Sequence, residues 1–165
     1  MRGFYLPNPS LRRILAVGAA MLAIGGGAAG MAAESAHAAL PTVATFRNLA
    51  TGFVVDSNPW GDVYALSANG GAYQKWVVSR SDFGTVTLRN AGTGRCLDSN
   101  TNRDVYTLPC NGGSFQKWIV LNRDFGTVVL RNLATGLVLD SNPWGDVYTL
   151  PENGGSYQKW IPASA

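Results

Sequence analysis

Three sets of polar side chains recur in this sequence at positions that could bind a polyhydroxylated ligand. Each set holds a carboxylate, a phenol and a carboxamide, and the sets repeat every 42 residues without insertion or deletion. The members are Asp56, Tyr64 and Asn69, then Asp98, Tyr106 and Asn111, and then Asp140, Tyr148 and Asn153. A carboxylate accepts hydrogen bonds, a carboxamide donates and accepts them, and a phenol ring adds an apolar face. Together they complement a pyranose, and one hydrogen bond to a charged acceptor contributes about 1.5–3 kcal/mol.

Local structure explains part of this recurrence. Asn58 and Asp62 also recur, and Asn58 precedes Pro59 while Asn69 precedes two glycines, as is typical of turns. Duplication of one unit also produces identity without selection for function. The argument for a ligand site therefore depends on the chemistry of the side chains and not on their recurrence.

Catalytic and metal-binding chemistry has less support. The only histidine, His37, lies in the N-terminal leader, so the repeats offer no imidazole to a general base or a metal. A glycosidase needs two carboxylates in unlike environments, whereas the candidate carboxylates occur in three like copies. Residues 56–62 resemble a calcium-binding loop, but its fifth position is Trp60 and its twelfth is Ser67. We therefore expect no enzyme, no metal site and no cofactor.

Residues 1–39 precede the repeats and have the features of a secretory signal peptide. Arg2, Arg12 and Arg13 make the first segment basic, residues 14–33 are apolar, and small residues follow. A membrane anchor is the alternative, but glycines interrupt the apolar run and the small-residue end favours cleavage. We expect cleavage near Ala38 or Ala39 and secretion of one domain, residues 40–165. The sequence does not decide the export pathway. The repeats of this domain span about 40–81, 82–123 and 124–165.

Charge and cysteine content describe the secreted part further. Residues 40–165 hold 10 Lys and Arg against 9 Asp and Glu, a balance that gives no support to nucleic acid or an anionic membrane as partner. We expect a monomer that does not insert into a membrane. Cys96 and Cys110 lie in the middle repeat, and their counterparts elsewhere are not cysteine. An even cysteine count in an exported protein predicts a disulfide, which we interpret as a structural link.

Each repeat contains four short strand candidates separated by turn residues, and no segment after Leu40 has a helical apolar period. In the third repeat the predicted strands are 127–131, 137–140, 146–150 and 158–161. Four strands cannot bury their apolar face alone, whereas three sets around a common axis can. A propeller typically needs four or more blades. We therefore predict an all-β fold, a β-trefoil with pseudo-threefold symmetry, in which a six-stranded barrel is capped by three hairpins.

The tryptophans fall into two groups. Trp76, Trp118 and Trp160 each end a Gln-Lys-Trp motif, and we predict that they form the shared core while the Gln amides bind backbone groups of neighbouring strands. Trp60 and Trp144 lie in polar loops where the middle repeat has Asn102. They could stack on a ligand or cover their own loop, and the sequence leaves both open.

Three Gln-x-Trp motifs at this spacing, with Cys96-Leu97-Asp98 and Cys110, resemble the ricin-type β-trefoil lectin family over residues 45–160. The unit LDSN…VYTLP.NGG.YQKW is similar to that of bacterial lectins of three repeats that bind high-mannose glycans through α1,2-linked mannose. The resemblance implies three shallow mannose pockets, one per repeat, without catalysis. It places them at Asp56, Tyr64, Asn69 and Tyr73, at Asp98, Tyr106, Asn111 and Phe115, and at Asp140, Tyr148, Asn153 and Tyr157.

Two departures from the family pattern bear on specificity. Galactose sites of ricin type usually carry Asn just before the Gln of the motif, where this chain has Tyr73, Phe115 or Tyr157. This argues against galactose, although a lectin for galactose or another polysaccharide stays an alternative. Phe115 lacks a hydroxyl, so we predict that the middle pocket is the weakest. A trefoil that binds a protein through Trp60 and Trp144, as an inhibitor would, is the other alternative.

Overall fold

The computed structural model describes residues 39–165, which form twelve strands, four in each repeat. The predicted leader lies almost wholly outside the described residues. The strands are β1 Val43–Asn48, β2 Val54–Ser57, β3 Val63–Leu66, β4 Trp76–Arg80, β5 Val86–Asn90, β6 Cys96–Ser99, β7 Val105–Leu108, β8 Trp118–Asn122, β9 Val128–Asn132, β10 Val138–Ser141, β11 Val147–Leu150 and β12 Trp160–Ser164.

Six of these strands close into a barrel. The order around it is β1, β4, β5, β8, β9 and β12, and every neighbouring pair is antiparallel, including the pair of β12 with β1. The ladders of β1 with β12, β4 with β5 and β8 with β9 are long, whereas the other three contacts are short. Closure of the ring leaves the barrel without an unpaired edge.

The other six strands form three hairpins that cap one end of the barrel. They are β2–β3, β6–β7 and β10–β11, and each joins the barrel through a single pair such as Arg47 with Val54. The hairpins also pair with one another in a cycle, through Asp62 with Tyr106, Asp104 with Tyr148 and Asp146 with Tyr64. The predicted β-trefoil with pseudo-threefold symmetry is confirmed.

The core is built around Trp76, Trp118 and Trp160, which are all fully buried. Their indole N–H groups donate to the carbonyls of Val55, Leu97 and Leu139 at 3.2, 3.1 and 3.1 Å, so the polar atom of each ring is satisfied. Each bond joins the start of a barrel strand to the hairpin of the same repeat. The prediction that these rings are core residues is confirmed.

The fourth strand of the third repeat starts later than the sequence predicted. Gln158, expected to open the fourth strand, instead ends a 3-10 turn, Ser156–Gln158, and β12 begins at Trp160. The Gln158 N–H donates to Gly155 O at 3.2 Å, and its side chain bonds the preceding loop, so it takes no part in the ladder. Such three-residue turns are the only helical segments within residues 39–165, and none is long or apolar enough to cross a membrane.

The predicted disulfide is present. Cys96 and Cys110 are bonded, with their Cα atoms 5.0 Å apart. Cys96 lies at the start of β6 and Cys110 in the loop after β7, so the bond ties that loop to the hairpin.

Removing this bond should lower the free energy of unfolding by about 3 kcal/mol, because it closes a loop of about 15 residues in the unfolded chain. The best variant is Cys96→Val with Cys110→Ala, which copies Val54 and Ala68 of the first repeat and keeps an apolar pair. Urea unfolding measures the change. An unfolding midpoint that is the same for the variant and the parent would contradict the prediction.

Candidate functional site

The aspartate and tyrosine of each predicted site lie opposite each other on one face of a cap hairpin. The cross-strand pairs are Asp56 with Tyr64, Asp98 with Tyr106 and Asp140 with Tyr148. Side chains alternate between the faces of a strand, so Val55 and Ala65 point into the core while the acid and the phenol share the other face. Directly opposed side chains are close neighbours, which makes each pair the start of a cleft.

The aspartates lie deep in these clefts. Asp56, Asp98 and Asp140 are only 4%, 3% and 3% exposed. The Gln116 amide donates to Asp98 Oδ2 at 2.9 Å, and Gln158 donates to Asp140 Oδ2 at 2.8 Å. In the first repeat the Gln74 amide donates to Ser67 O, as its counterparts also donate to Pro109 O and Pro151 O. The glutamine of the motif therefore supports the carboxylate directly in two of the three repeats.

Burial and neighbouring charge change the ionisation of the clefts. Burial raises the pKa of Asp98 and of Asp140, and the hydrogen bonds from the glutamine and from the next backbone N–H oppose the rise. Burial also raises the pKa of Tyr64, and the charges of Asp56 and Asp62 raise it further. Two carboxylates thus face each phenol, which stays protonated and able to donate a hydrogen bond.

The raised pKa values predict how Asp98 and Asp140 affect stability. Above the unfolded pKa of about 4 and below the raised one, the folded state binds more protons than the unfolded state, so their contribution to stability falls as pH rises. The free energy of unfolding of the parent minus that of the variant Asp98→Asn/Asp140→Asn should therefore decrease between about pH 3 and about pH 7. Urea unfolding at several pH values measures it, and a difference that grows with pH would contradict the prediction.

The asparagines lie in the loops at the rim of the clefts and are exposed. Asn69 Oδ1 accepts from the Gly71 N–H at 2.8 Å, and the Asn69 N–H donates to Gln74 Oε1 at 2.9 Å. The same two bonds hold Asn111 and Asn153. In the part of the chain that the structure describes, no hydrogen bond involves the Nδ2 group of these three residues, so each can donate to a ligand.

The second aromatic residue of each set joins the cleft to the next repeat. Tyr73, Phe115 and Tyr157 are 41%, 40% and 40% exposed. Their carbonyls accept from the side-chain amides of Asn90, Asn132 and Asn48 at 2.6, 2.7 and 2.7 Å. The Tyr73 ring lies against Gly92, where a Cβ would come within 2.5 Å of it. The Tyr73 side chain thus packs partly on the neighbouring repeat and stays partly exposed.

The predicted set omits two positions that the structure adds to each cleft. The first is Leu66, with Leu108 and Leu150, which lies two residues after the tyrosine on the same face and is 47% exposed. The second is Asp62, with Asp104 and Asp146. The Asp62 carboxylate accepts from the Asn58 amide at 2.9 Å, and its charge raises the pKa of Tyr64. Both positions are identical in the three repeats, so the repeat pattern combined with strand alternation could have found them.

Three different residues occupy one position of the rim loops, and two of them hold their loop. The disulfide holds the loop of Asn111. Glu152 holds the loop of Asn153 through ion pairs with Arg123 and Arg131, and the hydrogen bonds and charges of these two side chains lower its pKa. Ala68 occupies this position in the first repeat and can form neither link.

The two loop tryptophans cover little of their own loops. Trp60 is 82% exposed and Trp144 is 83% exposed. Of the two roles that the sequence left open, covering the loop is therefore not observed.

Away from the clefts, the described residues line a further cavity but form no cluster of metal ligands. No three His, Cys, Asp or Glu side chains within residues 39–165 come together to hold a metal ion. A cavity of about 410 Å³ lies at the end of the barrel away from the hairpins, between Leu40, Arg123 and Val128, and contains none of the predicted site residues.

These observations define a class of protein: a β-trefoil with three equivalent polar clefts on its cap hairpins. The sequence profile of the ricin-type beta-trefoil lectin domain matches residues 42–160. The chain belongs to the ricin-type β-trefoil lectin family and is a carbohydrate-binding protein.

Solved structures share the fold. The designed 3-fold symmetric protein ThreeFoil has a TM-score of 0.70 and 21% identity, over 75% of this chain and 99% of its own. SeviL bound to asialo-GM1 saccharide has a TM-score of 0.66 and 20% identity, over 77% of this chain and 99% of its own. The exo-beta-1,3-galactanase 1,3Gal43A from Clostridium thermocellum has a TM-score of 0.70 and 21% identity, over 75% of this chain and 30% of its own.

Proposed function

We propose that this protein is a secreted lectin that binds high-mannose glycans, through α1,2-linked mannose, in three shallow pockets without transforming them. The observation that carries the proposal is the threefold occurrence of a nearly buried carboxylate opposite a phenol, with an exposed carboxamide at the rim. The repeat unit also resembles that of actinohivin, a bacterial lectin for such glycans.

Each cleft provides complementary groups for one sugar ring. The aspartate, held at the cleft floor, accepts from two sugar hydroxyls, and the asparagine Nδ2 donates to a sugar oxygen. The tyrosine ring and the exposed leucine pack on the C–H face. A neutral sugar matches the site because the carboxylates of Asp98 and Asp140 need donors and not a second negative charge.

Several weak pockets can give strong binding. A shallow pocket for one sugar binds at about millimolar concentration, or about −4 kcal/mol. Simultaneous binding of several arms of a branched glycan multiplies the affinity by about 10²–10⁴. The threefold arrangement of the pockets therefore suits a branched or densely presented glycan.

Titration calorimetry with α1,2-mannobiose, together with a glycan array, tests the proposal. We expect up to three ligands to bind per chain. Free mannose should compete with the glycan for these sites. The absence of heat with mannosides, or preferential binding to galactosides on the array, would reject mannose specificity. Binding to a protein surface that free mannose does not reduce would favour the protein-binding alternative, which the exposure of Trp60 and Trp144 keeps open.

Secretion and a monomeric state belong to the same proposal. The leader supports export with cleavage near Ala38 or Ala39. N-terminal sequencing of protein recovered from the culture medium tests the cleavage site, and light scattering tests the oligomeric state. A mature protein that starts at Met1, or a stable dimer, would reject these parts while leaving glycan binding intact.

A further inference from the structure

We infer that Trp60 and Trp144 provide additional stacking positions for sugar rings that extend beyond the pockets. The three pockets then differ in the length of saccharide that they bind, and the first pocket, at Asp56, prefers the longest. This inference rests on the proposed function.

Hydrogen bonds hold the backbone of the two hairpin tips that carry these rings, residues 58–62 and 142–146. Asn58 Oδ1 accepts from the N–H groups of Trp60, Gly61 and Asp62, each at 3.0 Å. Asn142 holds Trp144 and Asp146 in the same way, both at 3.0 Å. Ordering of the loop therefore precedes binding, which removes part of the entropy cost of stacking a ligand on the indole.

The rings are available to a ligand. More than four fifths of each indole is exposed, although an aromatic side chain of this size can bury about 150–250 Å². Their backbone positions are held by bonds that do not involve the indole. Stacking on the C–H face of a sugar would bury apolar area that folding leaves in water.

Each tip lies at the border between two pockets. The tip of Trp60 belongs to the first hairpin, and the charge of its Asp62 carboxylate raises the pKa of Tyr64 in the first pocket. The same tip pairs with the second hairpin, where the Thr107 N–H donates to Gly61 O at 2.7 Å. The tip of Trp144 pairs with the first hairpin, where the Ala65 N–H donates to Gly145 O at 2.7 Å.

The arrangement makes the pockets unequal. The first pocket has Trp60 on its own tip and Trp144 on the tip that pairs with Tyr64. The second pocket borders the Trp60 tip, but its own tip carries Asn102. The third has Trp144 on its own tip and borders the Asn102 tip. Two tips that carry tryptophan therefore flank the first pocket, whereas one such tip borders each of the others.

Glycine allows the two tryptophan tips to approach their neighbours closely. A Cβ at Gly61 would lie 2.8 Å from Thr107 O, and one at Gly145 would lie 2.4 Å from Ala65 O. The middle tip has Arg103 at this position, with a φ of 76°. The Thr149 N–H donates to Arg103 O at 2.9 Å, so the middle tip makes the equivalent bond and the tips differ in their side chains rather than in their backbone arrangement.

The inference is tested with the variants Trp60→Ala, Trp144→Ala and their combination, using methyl α-mannoside and α1,2-linked mannotriose as probes. The ratio of the affinity for mannotriose to that for methyl α-mannoside should fall about three- to ten-fold for each tryptophan removed. The double variant Phe83→Ala/Phe125→Ala is the matched control. These rings are 83% and 95% exposed, but they lie at the turns of the barrel ladders away from the hairpins, so the ratio should not change.

Variants that keep only one pocket show which pocket each tryptophan serves. With Asp98 and Asp140 replaced by Ala, the remaining first pocket should show the largest ratio, and both tryptophans should contribute to it. Introducing Asn102→Trp into a protein with only the third pocket should raise its ratio. The inference would be overturned if the tryptophan substitutions weakened the binding of both probes equally, and so left the ratio of the two affinities unchanged.

The outcomes separate the inference from the proposed function. If the protein binds no mannoside, mannose specificity fails, and the same length comparison is made with the saccharide that binds on the array. The inference is then supported if the longer saccharide binds more tightly than the shorter one and this difference disappears in the Trp60→Ala/Trp144→Ala variant. No binding to any saccharide, or tryptophan-dependent binding to a protein that no saccharide competes, would overturn it.

Discussion

Replacing Trp118 by alanine should lower the free energy of unfolding by about 3–5 kcal/mol. The indole is fully buried at the start of β8 and fills the space shared by the barrel and the second hairpin. Alanine would leave a cavity and would leave Leu97 O without its 3.1 Å donor. Since natural domains have a total stability of about 5–15 kcal/mol, the variant should be close to unfolding at room temperature.

Trp144→Ala is the matched control, because it removes the same side chain from a position that is 83% exposed. Its effect on stability should lie within about 0.5 kcal/mol. Urea unfolding, followed by circular dichroism, measures both variants. Equal effects of the two substitutions would contradict the assignment of Trp118 to the core.

Replacing Asp140 by alanine should disable the third pocket and reduce binding to a mannan surface by about 10²-fold, because one of the multivalent contacts is lost. The substitution removes the charged acceptor at the floor of the cleft. Folding should survive, since Gln158 Nε2 keeps a second acceptor, Pro151 O at 3.0 Å. Surface plasmon resonance on immobilised mannan measures avidity, and calorimetry counts the remaining sites.

Asp124→Ala is the control for this substitution. Asp124 is exposed in the turn between β8 and β9, and the bonds in which it accepts use its backbone carbonyl, so binding should not change. Avidity of Asp140→Ala equal to that of the parent would reject the site assignment. If Asp140→Ala loses both avidity and the folded state, the variant Asp140→Asn takes its place, because it removes the charge and keeps the shape of the side chain. It should show the same loss of binding.

The fold was predictable because its determinants are local and repeated. The 42-residue period sets three units, the short β-branched runs and turn residues set four strands in each, and the recurrent Trp supplies the core. The first three predicted strands of the third repeat shift by one residue at their starts, and the fourth spans 160–164 where 158–161 was predicted. Strand propensity does not include the bond by which the Gln158 side chain holds the loop at Asn153.

The candidate site was predictable in composition but not in arrangement. Strand alternation together with the repeat suffices to place Asp140 and Tyr148 on one face. It does not show that Gln158 supports the carboxylate, since the two lie 18 residues apart and meet only when the loop folds back. The second carboxylate, Asp146, was visible as a repeated residue, but its role beside the phenol depends on the geometry of the hairpin tip.

The sequence by itself determined the number of repeats, the class of fold, the core tryptophans and the chemical groups of each cleft, because each of these is encoded within one repeat. Tertiary structure alone decided which repeats border one another: the tip of Trp60 lies against the second hairpin and the tip of Trp144 against the first. The physical reason is closure of the barrel. Pairing of β12 with β1 brings the third repeat beside the first, and no local pattern in the chain records that contact.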